Sequence, residues 1–154
     1  MHKPMNTTIL LVEDDPGHAR LIEKNLRRAG LSNDIIKFDN GEKVINYLFT
    51  EHPEASTERS AMLMLLDLNM PVMDGCQVLE KIKSEADTKN MPIIVLTTTD
   101  DPREIEKCYA LGCNVFISKP VDYEKFSQAV KQLGLLINVM SAPEVPTDAE
   151  HIIP

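Results

Sequence analysis

The chain has 154 residues, 43% hydrophobic and 26% charged, a size and balance that fit one globular domain with a substantial core. Its formal net charge of -8 argues against unaided binding to the phosphate backbone of nucleic acid, which asks for a basic face. No apolar run approaches the roughly 18–20 residues of a membrane span, and the opening MHKPMNTT lacks the apolar centre of a secretory signal, so the expectation is a cytoplasmic protein with neither a nucleic-acid nor a membrane partner.

TILLV, residues 8–12, is a short continuous apolar run and reads as a buried strand. Asp15 and Pro16 follow with the N-cap and first-turn chemistry of a helix, on one face of which Ala19, Ile22, Leu26 and Ala29 fall. Gly30 closes that helix, and Arg27 and Arg28 sit in the last turn, where the helix dipole favours cations. DIIKF (34–38) predicts a second strand, and the spacing of Val44, Ile45, Leu48 and Phe49 predicts a short helix after Gly41. The polar stretch TEHPEASTERS (50–60) reads as a loop.

MLMLL (62–66) is apolar on both faces, as a central parallel strand must be, and a helix from about residue 75 carries Val78, Leu79 and Ile82 inward. PIIVL (92–96) is the fourth strand. Pro102 opens a helix containing Ile105, Cys108, Tyr109 and Leu111, which Gly112 closes. VFIS (115–118) is the fifth strand, and a fifth helix from 123 to about 133 turns Phe126, Ala129, Val130 and Leu133 inward.

Five strands alternating with five helices predict an α/β three-layer sandwich, because right-handed crossovers lay helices on both faces of a parallel sheet. The ordered domain is expected over residues 7–140, with an N-terminal tail at 1–6 and a flexible C-terminal tail at 141–154, where three prolines break any core-forming pattern. Cys76, Cys108 and Cys113 form no C-x-x-C pair and read as free thiols rather than a disulfide framework or a zinc site.

In an open parallel sheet, ligands bind beyond the carboxyl ends of the strands. There the first strand delivers Glu13, Asp14 and Asp15, the third Asp67, the fourth Thr97 and the fifth Lys119 followed by Pro120. Taken singly, each has an ordinary explanation: Asp15 suits a helix cap better than a ligand, Thr97 can be a plain strand end, and a lone lysine is usually solvated. Their coincidence at one edge carries the functional reading. Carboxylates within several Å of one another repel by about 1–4 kcal/mol per pair, a cost that a divalent cation removes. Oxygen ligands without His or Cys suit Mg²⁺. A carboxylate flanked by a metal and a lysine can attack phosphorus and form an acyl phosphate, which makes Asp67 the candidate acceptor.

The set LLVEDD (10–15), LLDLNMPVMDG (65–75), VLT (95–97) and FISKP (116–120) resembles the receiver domain of bacterial two-component response regulators, the CheY-like (flavodoxin-like) fold, over about residues 7–135. The resemblance implies a five-stranded parallel sheet of order 2-1-3-4-5 and a phosphoacceptor signalling protein rather than an enzyme in its own right. It makes Asp67 the phosphoacceptor and a Mg²⁺ ligand, Asp14 a direct ligand, Glu13 a ligand through water, and the backbone carbonyl of Asn69 a further one. It implies that Thr97 bonds a phosphoryl oxygen and swings inward on phosphorylation, that Lys119 pairs with the phosphoryl group ahead of a cis bond to Pro120, and that Phe116 is the switch aromatic. Two departures stand out: Phe116 lacks the hydroxyl of the common tyrosine, and Thr98 is bulkier than the usual small residue and narrows access to the phosphoryl group.

The implied donor is a phosphohistidine on a sensor histidine kinase or histidine phosphotransfer protein, and the implied output is an altered helix 4–strand 5–helix 5 face offered to a downstream protein. No DNA-binding output domain is expected, since the receiver consumes nearly the whole chain. The apolar segment GLLINVM (134–140) further predicts a two-fold homodimer using Tyr109, Phe116 and residues 135–140, a C-terminal pattern similar to that of regulators paired with bacterial phytochromes. Three other readings stand beside this one. An aspartate-nucleophile phosphatase needs a second Asp where Asn69 stands, and a flavodoxin-type carrier needs a phosphate-cradling first loop where Glu13, Asp14 and Asp15 would repel phosphate. A receiver-fold interaction module that works without phosphorylation is the third.

Overall fold

The computed structural model describes residues 8–28, 30–51, 62–98 and 100–118. Its strands are β1 (Thr8–Val12), β2 (Ile35–Phe38), β3 (Met62–Leu66), β4 (Ile93–Thr97) and β5 (Val115–Ser118). All neighbours run parallel, in the order β2-β1-β3-β4-β5. The chain leaves β1 toward β2 on one side and returns to β3 on the other, so a crevice opens between the carboxyl ends of β1 and β3.

Four helices accompany these strands among the described residues: α1 (Pro16–Arg28), α2 (Gly41–Asn46), α3 (Gly75–Ser84) and α4 (Pro102–Leu111). The fifth helix expected at 123–133 lies outside the described residues. The strands' period of two sorts their side chains between two cores. Leu10, Val12, Met64, Leu66, Ile93 and Val95 face Val44, Leu48, Val78, Leu79 and Ile82 of the α2 and α3 side, with Cys108 of α4 in the same cluster. Ile9, Leu11, Leu63, Leu65, Ile94 and Leu96 face Ala19, Ile22 and Leu26 of α1. Each such side chain taken fully from water contributes about 1.5–3 kcal/mol, which is why continuous apolar runs settle at the centre of the sheet.

The helix ends follow the expected chemistry. Asp15 caps α1, its Oδ1 accepting from the amides of Gly17 at 2.8 Å and His18 at 3.1 Å. Asp74 caps α3 in a reciprocal box with Gln77. Pro102 opens α4, and Gly112 ends it in the left-handed conformation at φ 109°. One element departs from expectation: the helix after Gly41 is α-helical only through Asn46 and then widens into a π-helical turn, Tyr47–Glu51. There Tyr47 lies with its ring 5.3 Å from that of Phe38, and Leu48 remains buried. No helix among the described residues is long and apolar enough to cross a membrane.

Candidate functional site

Register brings the acidic residues together. Val12 of β1 is the lateral partner of Leu66 of β3, so Glu13 and Asp67 leave the sheet side by side. The ladder continues one step beyond the strands, the amide of Asp67 donating to the carbonyl of Val12 at 3.0 Å and that of Glu13 to the carbonyl of Phe38 at 2.9 Å. Glu13 and Asp67 are buried, Asp14 is exposed, and one carboxylate oxygen from each of the three lies within 4.8 Å of the others. Asp15 turns away into its capping role, although its amide donates to Glu13 Oε2 at 3.3 Å.

Three carboxylates so placed repel by about 1–4 kcal/mol per pair. His18 Nδ1 stands 3.9 Å from Glu13 Oε2 and is half exposed. The donor set is oxygen only and hard. Opposite ligands of Mg²⁺ are about 4.2 Å apart, and the 4.8 Å bound on the cluster is slightly wider, which suits one small divalent cation held directly by some of these carboxylates and through water by the rest. An open cavity of about 450 Å³ borders Glu13 and Asp14 on the β2 side, with Arg20, Phe38 and Lys43 also on its walls, and Asp67 does not line it.

The loop after β3 is held tightly. The amide of Asn69 donates to Asp67 Oδ1 at 3.2 Å, and the amide of Gly75 returns to the carbonyl of Leu68 at 2.9 Å, which folds residues 68–74 over the start of α3. Inside this loop Val72 adopts φ 70°, a left-handed conformation costly for a β-branched residue.

Thr97, at the end of β4, is wholly buried and joins the site through Asn69, whose Nδ2 donates to Thr97 Oγ1 at 3.1 Å and to Thr98 Oγ1 at 3.2 Å. The family resemblance implies only a backbone role for Asn69. Its side-chain part could not be found from spacing, because Thr97 is 28 residues away. Phe116 pairs with Val95 in the sheet and packs half-buried against the core, while Tyr109 on α4 is 50% exposed. Lys119, Pro120 and residues 135–140 lie outside the described residues.

Known proteins are similar to this chain in sequence and fold. Residues 9–131 match the model of the response regulator receiver domain. A receiver domain from Rhodospirillum rubrum is similar in structure with a TM-score of 0.79 and 53% identity, over 89% of this chain and 97% of its own. Response regulator Rcp1 of Synechocystis is 33% identical over 111 residues, 72% of this chain and 75% of Rcp1. A solved Mn²⁺-bound form of response regulator Rcp1 superposes with a TM-score of 0.75 at 28% identity, covering 89% of this chain and 99% of that one. The phosphorylated cyanobacterial phytochrome response regulator RcpA has a TM-score of 0.75 and 32% identity, over 89% and 98% of the two chains. With the sheet order and acidic crevice described above, the match over residues 9–131 places this chain in the response regulator receiver domain family of two-component systems.

Proposed function

We propose that this protein accepts a phosphoryl group on Asp67 from a phosphohistidine of a sensor kinase or phosphotransfer protein, in a Mg²⁺-dependent step, and signals through a protein-binding face. The observation that carries this reading is the convergence of Glu13, Asp14 and Asp67, with oxygens within 4.8 Å, beyond partnered strand ends. Asp14 and Asp67 would hold Mg²⁺ directly, Glu13 through water, and the Asn69 carbonyl would complete the protein ligands. The ion, when bound, supplies positive charge for the transferring phosphoryl oxygens.

The chain's own residues account for the rest. An Asp67 carboxylate oxygen attacks phosphorus, and the P–O bond forms as the P–N bond to the donor ring breaks; that ring already carries a proton on its other nitrogen, takes the P–N electron pair and leaves as neutral imidazole. The amide of Asn69 on Oδ1 orients the carboxylate before attack. Thr97 then donates its hydroxyl to a phosphoryl oxygen, and Lys119 pairs with the new charge. Movement of Thr97 leaves space that Phe116, beside Val95 of the adjacent strand, turns to fill. That rotation changes the outer surface of α4 and β5, the face offered to a downstream protein or a second copy of this chain. The Mn²⁺-bound Rcp1 and the phosphorylated RcpA support the metal and the phosphoryl group by similarity.

The experiment is labelling by a small phosphodonor such as phosphoramidate, with and without Mg²⁺, in the wild type and in Asp67→Asn. The expected result is Mg²⁺-dependent, acid-stable and base-labile labelling of Asp67 that the variant lacks. Undiminished labelling of Asp67→Asn overturns the assignment, and an unlabelled wild type favours an interaction module that works without phosphorylation.

A further inference from the structure

The side-chain amide of Asn69 carries two N–H donors, and both are engaged by neighbouring hydroxyls: Thr97 Oγ1 at 3.1 Å and Thr98 Oγ1 at 3.2 Å. The same residue is tied by its main chain to Asp67 Oδ1 at 3.2 Å. Asn69 thus touches the acceptor carboxylate with its backbone and the buried threonine with its side chain. Thr98, exposed to solvent, holds the far side of the fork.

We propose that the Asn69 side chain, anchored by the Thr98 hydroxyl, is a latch that holds Thr97 in its resting position and thereby restrains phosphorylation and the switch coupled to it. The proposal rests on the roles given above to Asp67 and Thr97. Its logic is geometric. For Thr97 Oγ1 to approach a phosphoryl group on Asp67, it must either break its bond to Nδ2 or carry the amide along, and the second route breaks the bond to Thr98. Either movement gives up one neutral hydrogen bond, which sets the fraction of molecules with Thr97 released. When the competent arrangement is a minor one, the apparent rate and affinity at the site fall in proportion to that fraction. Asn69 is in this sense a positioning residue acting through Thr97, and its backbone carbonyl is untouched by changes to the side chain.

The latch and simple crowding by Thr98 make opposite claims about one substitution. Thr98→Val keeps the bulk of the side chain and removes its hydroxyl, whereas Thr98→Ala removes both. Release of the latch predicts that both variants are labelled at Asp67 by phosphoramidate about two- to tenfold faster than the wild type, the effect of one lost neutral hydrogen bond. Apparent affinity for beryllofluoride, a phosphoryl mimic, should rise by a similar factor. Mg²⁺ affinity measured by calorimetry should stay the same, since no proposed ligand is altered.

If Thr98→Ala is accelerated and Thr98→Val matches the wild type, crowding explains the effect and the latch is overturned. Equal rates in all three proteins overturn it as well, while leaving Asp67 as acceptor. Failure of the wild type to be labelled at all removes the acceptor assignment, and the latch with it.

Discussion

Gly75 stands directly against the backbone of Asp67: a Cβ added to Gly75 would lie 2.5 Å from the Asp67 carbonyl oxygen and 2.6 Å from Leu68 Cα. Both are main-chain atoms, so no side-chain rotation relieves the overlap. The start of α3 can approach the loop after β3 this closely only without a side chain, and the approach sets the course of the chain just after Asp67. Gly75→Ala is therefore expected to destabilise the fold by about 1–3 kcal/mol, the usual cost of overpacking. It should also slow phosphorylation of Asp67. A urea unfolding midpoint equal to that of the wild type would contradict this account.

Removing one charge from the acidic cluster acts in the opposite direction. Asp67→Asn relieves its repulsion with Glu13 and Asp14 and is expected to be at least as stable as the wild type in metal-free buffer. Mg²⁺ should raise the wild-type melting temperature by mass action, about 1.4 kcal/mol at an ion concentration tenfold above Kd, and should raise that of the variant less. Thermal melts with EDTA and with Mg²⁺ measure both effects. An Asp67→Asn protein stabilised by Mg²⁺ as much as the wild type would remove Asp67 from the ligand set.

Val72 holds a left-handed backbone at φ 70° while the residue is 75% exposed, so little packing compensates the strain. Val72→Gly places a residue there that adopts this conformation without steric strain, offset in part by the greater chain entropy glycine loses on folding. The expected gain is about 1 kcal/mol, in line with the cost of left-handed backbone for an ordinary residue. Denaturant unfolding checks it, and a loss of stability would show that Val72 makes contacts its exposure conceals.

Burial, with a smaller contribution from the neighbouring Cys76 thiol, pushes Cys108 up from 9.0 to about 12, and burial pushes Cys113 up to about 11. Well below pH 9, at about pH 7 and under, these thiols are protonated in both folded and unfolded chains and contribute no pH dependence. Above it the unfolded chain releases protons that the folded chain retains, so stability falls as pH rises toward the folded values. Cys108→Ala should flatten part of this alkaline decline, leaving the part due to Cys113. Urea midpoints from pH 8 to 11 test the slope, which packing losses at the site do not imitate. An unchanged slope would mean that Cys108 ionises as readily folded as unfolded.

The amino-acid sequence alone determined the order of strands and helices, because TILLV, MLMLL and PIIVL are apolar on both faces and bounded by turn residues. It also determined that Glu13, Asp14, Asp67 and Thr97 would gather at one edge, since a parallel sheet sends every strand's carboxyl end the same way. These are local patterns read through a general rule of topology. Tertiary structure decided what depends on register and on residues far apart in the chain. The pairing of Val12 with Leu66 sets the 4.8 Å spread of the carboxylates, and a shift of one residue would send their side chains to opposite faces. The reach of Asn69 to Thr97 and Thr98 exists only because β3 and β4 are neighbours. The π-helical turn at Tyr47–Glu51 and the buried Asn25, whose Oδ1 finds no hydrogen-bond partner among the described residues, are likewise outside any local pattern. No short-range pattern encodes them, because their energies come from neighbours that the fold supplies.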